Sequence, residues 1–247
     1  MKDIQNQPDH RRMNIKKVGV KNIAYPIAVR DKAIKIQKTV ATVNMYVNLP
    51  HHFKGTHMSR FVEILNRFHG EITMKSFHLI LHEMKNKLQA EAAHLEIEFP
   101  YFLKKKSSAT SVGIVEYKCK MHGSLSTSDD LILEIQVPIS PPSLNLGGQG
   151  LPKSLGHWGV AVVSLRFRHF IWLEDIIDMV ETITYHDCDW AQDQNGQAAD
   201  SLTVESLTKA LGKKLQSNAD LSWFTVTVKN FLEGCSIFAS LDSGDED

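Results

Sequence analysis

Cysteine is scarce in this chain of 247 residues: Cys119, Cys188 and Cys235 are an odd number and lie far apart. That spacing excludes a disulfide framework and a CxxC-type zinc site, and the ordinary expectation for each is a reduced, half-buried thiol. Net charge is absent too, because 28 Lys and Arg balance 28 Asp and Glu. No overall field draws in nucleic acid or an anionic membrane, so any anion site has to be local. No apolar run approaches the roughly 20 residues that span a bilayer. The opening MKDIQNQPDHRRMNIKK has no apolar core of a signal peptide. The expectation is therefore a cytoplasmic protein with neither a membrane nor a nucleic-acid partner. What the chain does hold is 43% hydrophobic residues, enough for the core of one large or two small domains.

Residues 1–36 are polar and carry Pro8 and Pro26, which suggests an arm lying on the body. From Thr39, TVATVNMYVNLP alternates as a half-buried strand does. SRFVEILNRF has Phe61, Ile64, Leu65 and Phe68 at helical spacing behind a Ser59 cap, and SFHLILHEMKNKLQA is a second helix from a Ser76 cap. AHLEIEFPYFLKK, VGIVEYKCKMHG and DLILEIQVPIS alternate again, with KKKSSATS and GSLSTSDD as hairpin turns between them. The second half repeats the plan: GVAVVSLRFRHF a strand, WLEDIIDMVETI and TVESLTKALGKKL helices, LSWFTVTVKNFL a strand. Tyr185–Asp200 reads as a long polar loop, and the acidic SGDED end as disordered.

These patterns divide the chain into an arm (1–36), a first module (37–138), a connecting segment (139–158), a second module (159–241) and a tail (242–247). The expected class is α+β: two ββααββ modules, each an antiparallel sheet with helices on one face. Free sheet edges favour pairing between subunits, hence an oligomeric barrel.

LPHHFKGTHMSRFVEIL crowds His51, His52, Lys54, His57 and Arg60 into the turn before a helix. Two readings stand side by side: these side chains face a substrate and neutralise phosphate, or His57 and Arg60 form hydrogen bonds that shape the turn. His78 and His82, four apart on the second helix, lack a third ligand in the sequence and read as a solvated face.

VATVNMYVNLPHHFKGTHMSRFVEIL and FHLILHEMKNKLQAEAAHLEIEFPYFLKK, with the arm DIQNQPDHRRMNIKKVGVKNIAYPI and the hairpin EYKCKMHGSL, resemble the type IB GTP cyclohydrolases of the tunnelling-fold (T-fold) superfamily. KGTHMSRF is the most specific of these motifs. The resemblance implies a tandem T-fold, assembled as a homo-oligomer, usually a tetramer. It also implies conversion of GTP to 7,8-dihydroneopterin triphosphate and formate in the folate pathway, by metal-assisted hydrolysis at purine C8. A divalent ion, Mn or Zn, suits that step because it acidifies bound water. Lys54, His57 and Arg60 become candidates for the triphosphate, and a Glu for the purine edge.

The sequence departs from the family's pattern where its chemistry lies. The family's CPCSK segment after the VPV strand end is here VPISPPSLNLGGQGLPKSLGHWGV, which puts Ser143 at the cysteine and His157 nearest the family histidine. Ser143 and His157 are the catalytic candidates. The family's NFESIHNH is here NFLEGCSIF, which puts Leu232 at the Glu, Cys235 and Ile237 at the two His. A one-residue bulge at Gly234 would return Glu233 to the purine, and Cys235 with His157 would form the metal set. The family's DEKYVTE has no counterpart in the 185–200 insert. GGQG at 147–150 is either a phosphate-cradling nest or a surface loop. Three functions remain open: a cyclohydrolase with rebuilt ligation; a non-catalytic paralogue that binds a purine or pterin or partners a genuine cyclohydrolase; and a changed reaction on a related heterocycle.

Overall fold

The computed structural model describes residues 15–49, 57–68, 73–107, 111–139, 158–184 and 203–244. It divides into two compact units, Met1–Leu133 and Glu134–Asp247. Eight strands and four helices are described, an α+β fold.

The first unit runs β1 (Ile15–Asp31), β2 (Lys35–Leu49), α1 (Ser59–Arg67), α2 (Met74–Lys87), β3 (Ala92–Ser107) and β4 (Ser111–Leu125), with antiparallel strand order β1-β2-β3-β4. Alternation sorts each strand. Ala41, Val43, Met45 and Val47, then Ala93, Leu95, Ile97 and Phe99, then Tyr117 and Cys119 are buried. Phe61, Ile64 and Leu65 of α1 and Phe77, Ile80, Leu81 and Met84 of α2 are buried with them, α2 lying on β3 and β4. Removing such side chains from water is worth about 1.5–3 kcal/mol each before the entropy of ordering them is counted.

Residues 15–31 are not an arm. They form β1, in register with β2 from Ile23↔Val43 to Asp31↔Lys35. Tyr25, Ile27 and Val29 alternate into the core, and the Tyr25 hydroxyl donates to the Leu65 carbonyl of α1. Polar composition hid the strand because its other face is exposed. Pro26 is tolerated because β1 is an edge strand of this order, where a missing N–H leaves no ladder bond unmade. Buried Asp31 closes the hairpin: Oδ1 accepts from the Ala33 and Ile34 amides, Oδ2 from Gln37 and Tyr101.

Both expected helix caps move. Met58, not Ser59, is the N-cap of α1 and makes no side-chain cap. Thr73 caps α2, and Ser76 is its reciprocal partner at the third helical position: each hydroxyl accepts the other's backbone N–H.

The second unit begins within β5 (Asp129–Ile139) and continues with β6 (Gly159–Phe167), α3 (Leu173–Thr184), α4 (Val204–Gln216), β7 (Leu221–Leu232) and β8 (Cys235–Asp242). Its strand order is β5-β6-β7-β8. Ile135, Val137, Ala161, Val163, Phe224, Val226 and Val228 form the sheet's share of the core, and Leu207, Leu211 and Leu215 of α4 cover β7 and β8. A Thr203–Ser206 box opens α4 as the Thr73–Ser76 box opens α2. The second strand-strand-helix-helix-strand-strand set thus takes β5 as its first strand and ends on β8, a strand the alternation pattern did not reveal.

Candidate functional site

In the second unit, two segments far apart in sequence meet. Trp158 donates its amide to Ile139 O at 2.8 Å. Its carbonyl accepts from Phe231 N at 3.1 Å and from the buried side chain of Asn230 at 2.8 Å. Gly159 pairs with Asn230 at such close range that a Cβ there would lie 2.0 Å from Lys229 O, so only glycine fits. The ends of β5 and β7 and the start of β6 are thereby fixed together, and the residue preceding Trp158 in the chain is His157. His157, Ser143 and Lys54 lie outside the described residues.

Glu233 and Gly234 form the tip of the β7–β8 hairpin, closed by the pair Leu232↔Cys235. Register is unbroken from Thr225↔Asp242 to that pair. The bulge expected to carry Glu233 inward is absent, because Gly234 at φ 80 takes up the reversal within a two-residue turn. Glu233 is exposed at the tip, and Cys235 is exposed rather than half-buried. Around them Phe231 and Leu232 of β7 and Ile237 and Phe238 of β8, the last strand of the order, are 48–67% exposed. Among the described residues no three His, Cys, Asp or Glu side chains surround a common point. Of the expected metal set Cys235 alone is described, exposed at the hairpin and without two further donors about it among the described residues.

In the first unit, His57 and Arg60 stand at the start of α1, both half-buried. The His57 carbonyl accepts the Arg60 amide at 3.1 Å, and Met58 O that of Phe61 at 3.2 Å. Backbone bonds thus contribute to this turn, and His57 and Arg60 stand on either side of its Met58 cap. No acidic residue occupies the first turn of α1, where the positive end of the helix dipole lies.

A polar network that the sequence reading missed lies on the sheet face turned away from the buried set. Glu96 accepts from Asn44 at 3.0 Å and from the Tyr46 hydroxyl at 3.1 Å, with Lys120 at 4.0 Å. His94 stacks on Tyr46, centroids 4.8 Å apart, and shares a hydrogen bond with Asn48 at 3.1 Å; Lys17 sits over the same Tyr46 ring at 4.6 Å. His122 Nε2 is buried and has no partner among the described residues. Burial would raise the Glu96 pKa, but the bonds from Asn44 and Tyr46 and the charges of Lys120 and His122 outweigh it, and the carboxyl sits below its ordinary value. Burial, and then the charge and hydrogen bond of Glu96, push Tyr46 up to about 12. Burial, with the charges of His122 and Lys17, lowers His94 against the opposing pull of Glu96. The signal was in the sequence as the polar positions of three alternating strands; what was missing was the register Asn44↔Glu96↔His122 that aligns them.

Cys119 is fully buried and its thiol is pushed by burial to about 12, so it is inert. No helix among the described residues is long and apolar enough to cross a membrane.

The fold is similar to that of a uricase from Bacillus fastidious, with a TM-score of 0.59 over 92% of each chain at 8% identity, a likeness of fold alone. Sequence relatives are far closer. The GTP cyclohydrolase FolE2 of Syntrophus aciditrophicus is 41% identical over 94% of both chains, and that of Syntrophobacter fumaroxidans 43% identical over 94% of both. The model of the type I GTP cyclohydrolase folE2 family matches residues 1–189. The chain belongs to the GTP cyclohydrolase FolE2 family.

Proposed function

We propose that the protein is a cytoplasmic GTP cyclohydrolase of the folate pathway, hydrolysing GTP at purine C8 to 7,8-dihydroneopterin triphosphate and formate as a homo-oligomer. Identity near 40% to proteins named GTP cyclohydrolase FolE2 along 94% of the chain carries this reading. Lys54, His57 and Arg60 hold the triphosphate. Support comes from α1, whose first turn has no carboxylate and at whose start His57 and Arg60 stand half-buried. Glu233 takes the purine edge. At the hairpin tip it is exposed, so a second copy seated on Phe231, Leu232, Ile237 and Phe238 is what would enclose it. His157, Ser143 and Cys235 are the further candidates, with His157 and Cys235 for a Mn or Zn ion.

A second reading, a paralogue that binds GTP or a pterin without turnover, is favoured by one observation. Leu232, Cys235 and Ile237, at the positions of the family's Glu and two His, are all exposed and bring no ligand set together among the described residues. Incubation with GTP and Mn²⁺ or Zn²⁺, following formate and oxidised-pterin fluorescence, separates the two. Product that disappears in His157→Ala supports catalysis; saturable GTP binding without product supports the second reading. Arg60→Ala should raise the KM or Kd for GTP about tenfold while leaving guanosine binding unchanged, as loss of one charge-assisted phosphate contact does.

A further inference from the structure

We propose that His78 and His82 of α2 form a binding site for a divalent transition ion, copper above nickel or zinc, with Asp129 as the residue that positions His78. The two histidines are one turn apart, and their rings meet edge to face with centroids 4.4 Å apart. Two imidazoles bound to one ion at about 2.0–2.1 Å, at right angles, have ring centres about 4.5 Å apart. The side chains therefore stand at the separation that joint ligation needs before any ion arrives.

Asp129, at the start of β5, supplies what the helix lacks. Its Oδ2 bonds His78 Nδ1. A carboxylate accepting from Nδ1–H fixes the tautomer and leaves the Nε2 lone pair to the ion, the arrangement in which metal-binding histidines are held and made more basic. His78 and Asp129 side chains are 43% and 37% exposed and His82 is exposed, so an ion reaches the site from solvent.

The neighbouring charges are committed elsewhere. Glu83 pairs with Arg67 and Lys87, and the Lys85 ammonium donates to Ser126 O in the β4–β5 turn. That bond and the His78–Asp129 contact both lay α2 against the same turn, so an ion here stiffens the helix where it meets the sheet's end. With two protein ligands and water completing the shell, order of affinity follows the general series in which copper exceeds nickel and zinc.

The test uses the full chain stripped of metal and titrated with Cu²⁺, followed by calorimetry and by the nitrogen hyperfine lines of the Cu²⁺ spin resonance. Wild type should take up one equivalent that His82→Ala and His78→Ala lack, with two-nitrogen coupling lost in both. Asp129→Asn should keep the equivalent and weaken it about tenfold, the usual loss for such a partner. His169→Ala, a control at an exposed histidine beside Asp220, should keep it unweakened. GTP product or GTP binding, whichever the protein shows, should be unchanged in His82→Ala, which separates this ion from any at the catalytic end. Equal stoichiometry and affinity in wild type and His82→Ala would overturn the site, and Asp129→Asn with unaltered affinity would overturn the positioning role.

Discussion

Asn230 donates its buried side-chain amide to the carbonyl of Trp158 at 2.8 Å, across 72 positions of sequence. The bond ties the end of β7 to the residue that follows His157, so it connects two of the segments in which this chain departs from its family's pattern. Asn230→Ala removes the donor and leaves a small hole where the amide was. Stability should fall by about 1–2 kcal/mol, read as a lower urea midpoint at unchanged slope. If the proposed role of His157 holds, product formation should fall more than the midpoint explains. A variant with the wild-type midpoint would mean that Trp158 is held without the Asn230 amide, by contacts that include its backbone bonds to Ile139 and Phe231.

Gly159 makes a sharper case. A methyl group there would meet the Lys229 carbonyl at 2.0 Å, and backbone cannot swing aside as a flexible side chain can. Gly159→Ala should cost about 1–3 kcal/mol through forced separation of β6 and β7. Hydrogen exchange should accelerate at Val160–Val163 and Thr227–Asn230, and a uniform protection pattern would contradict the reading.

Acid should unfold the protein in two steps traceable to the polar face of the first sheet. His94 has a lowered pKa, so its folded form resists the proton. That contribution to stability is complete above the ordinary value of 6.5 and declines as pH falls through the window just below it. Glu96 is also lowered, so its contribution is present above the ordinary 4.5 and is lost below that, as pH falls towards its folded value. Urea midpoints at pH 7.5, 5.5 and 4 should fall at each stage. His94→Gln should flatten the first decline and Glu96→Gln the second. Both substitutions leaving the profile unaltered would assign acid sensitivity elsewhere.

Most of the fold was legible because periodicity is local. Leu221–Leu232 coincides with the alternation of LSWFTVTVKNFL, and the helix spans follow Phe61, Ile64 and Leu65 or Leu207, Leu211 and Leu215 at helical spacing. What escaped depended on partners. β1 is polar on its outer face, and only the pairing with β2 and the Tyr25–Leu65 bond reveal it as core. β8 has no buried position, five of its eight residues being exposed and three half-buried, a pattern no alternation rule finds. Capping was misread by one residue at Ser59, where Met58 caps without any side-chain bond, and by three at Ser76, where the Thr73 and Ser76 hydroxyls share the work and sequence does not say which is the cap. KGTHMSRF drew attention to His57 and Arg60, which stand on either side of the Met58 cap of α1. The Glu96 network was not, because a one-residue change of register would scatter it.

The exposed hairpin edge gives the remaining prediction. Ile237 and Phe238 are 48% and 67% exposed in the isolated chain, on a strand whose outer side has no described neighbour. Apolar side chains on a free edge associate with a matching edge unless charge or proline blocks them, and neither occurs in CSIFAS. Ile237→Lys and Phe238→Lys place charge there at little expense to the folded chain, since neither side chain contributes to its core. Light scattering should register a smaller assembly for the double variant than for wild type at equal concentration. Its circular dichroism should be unchanged, and GTP affinity should fall if Glu233 is enclosed by a second copy. A wild-type mass in the double variant would place the subunit contact on another surface and leave Glu233 open to solvent.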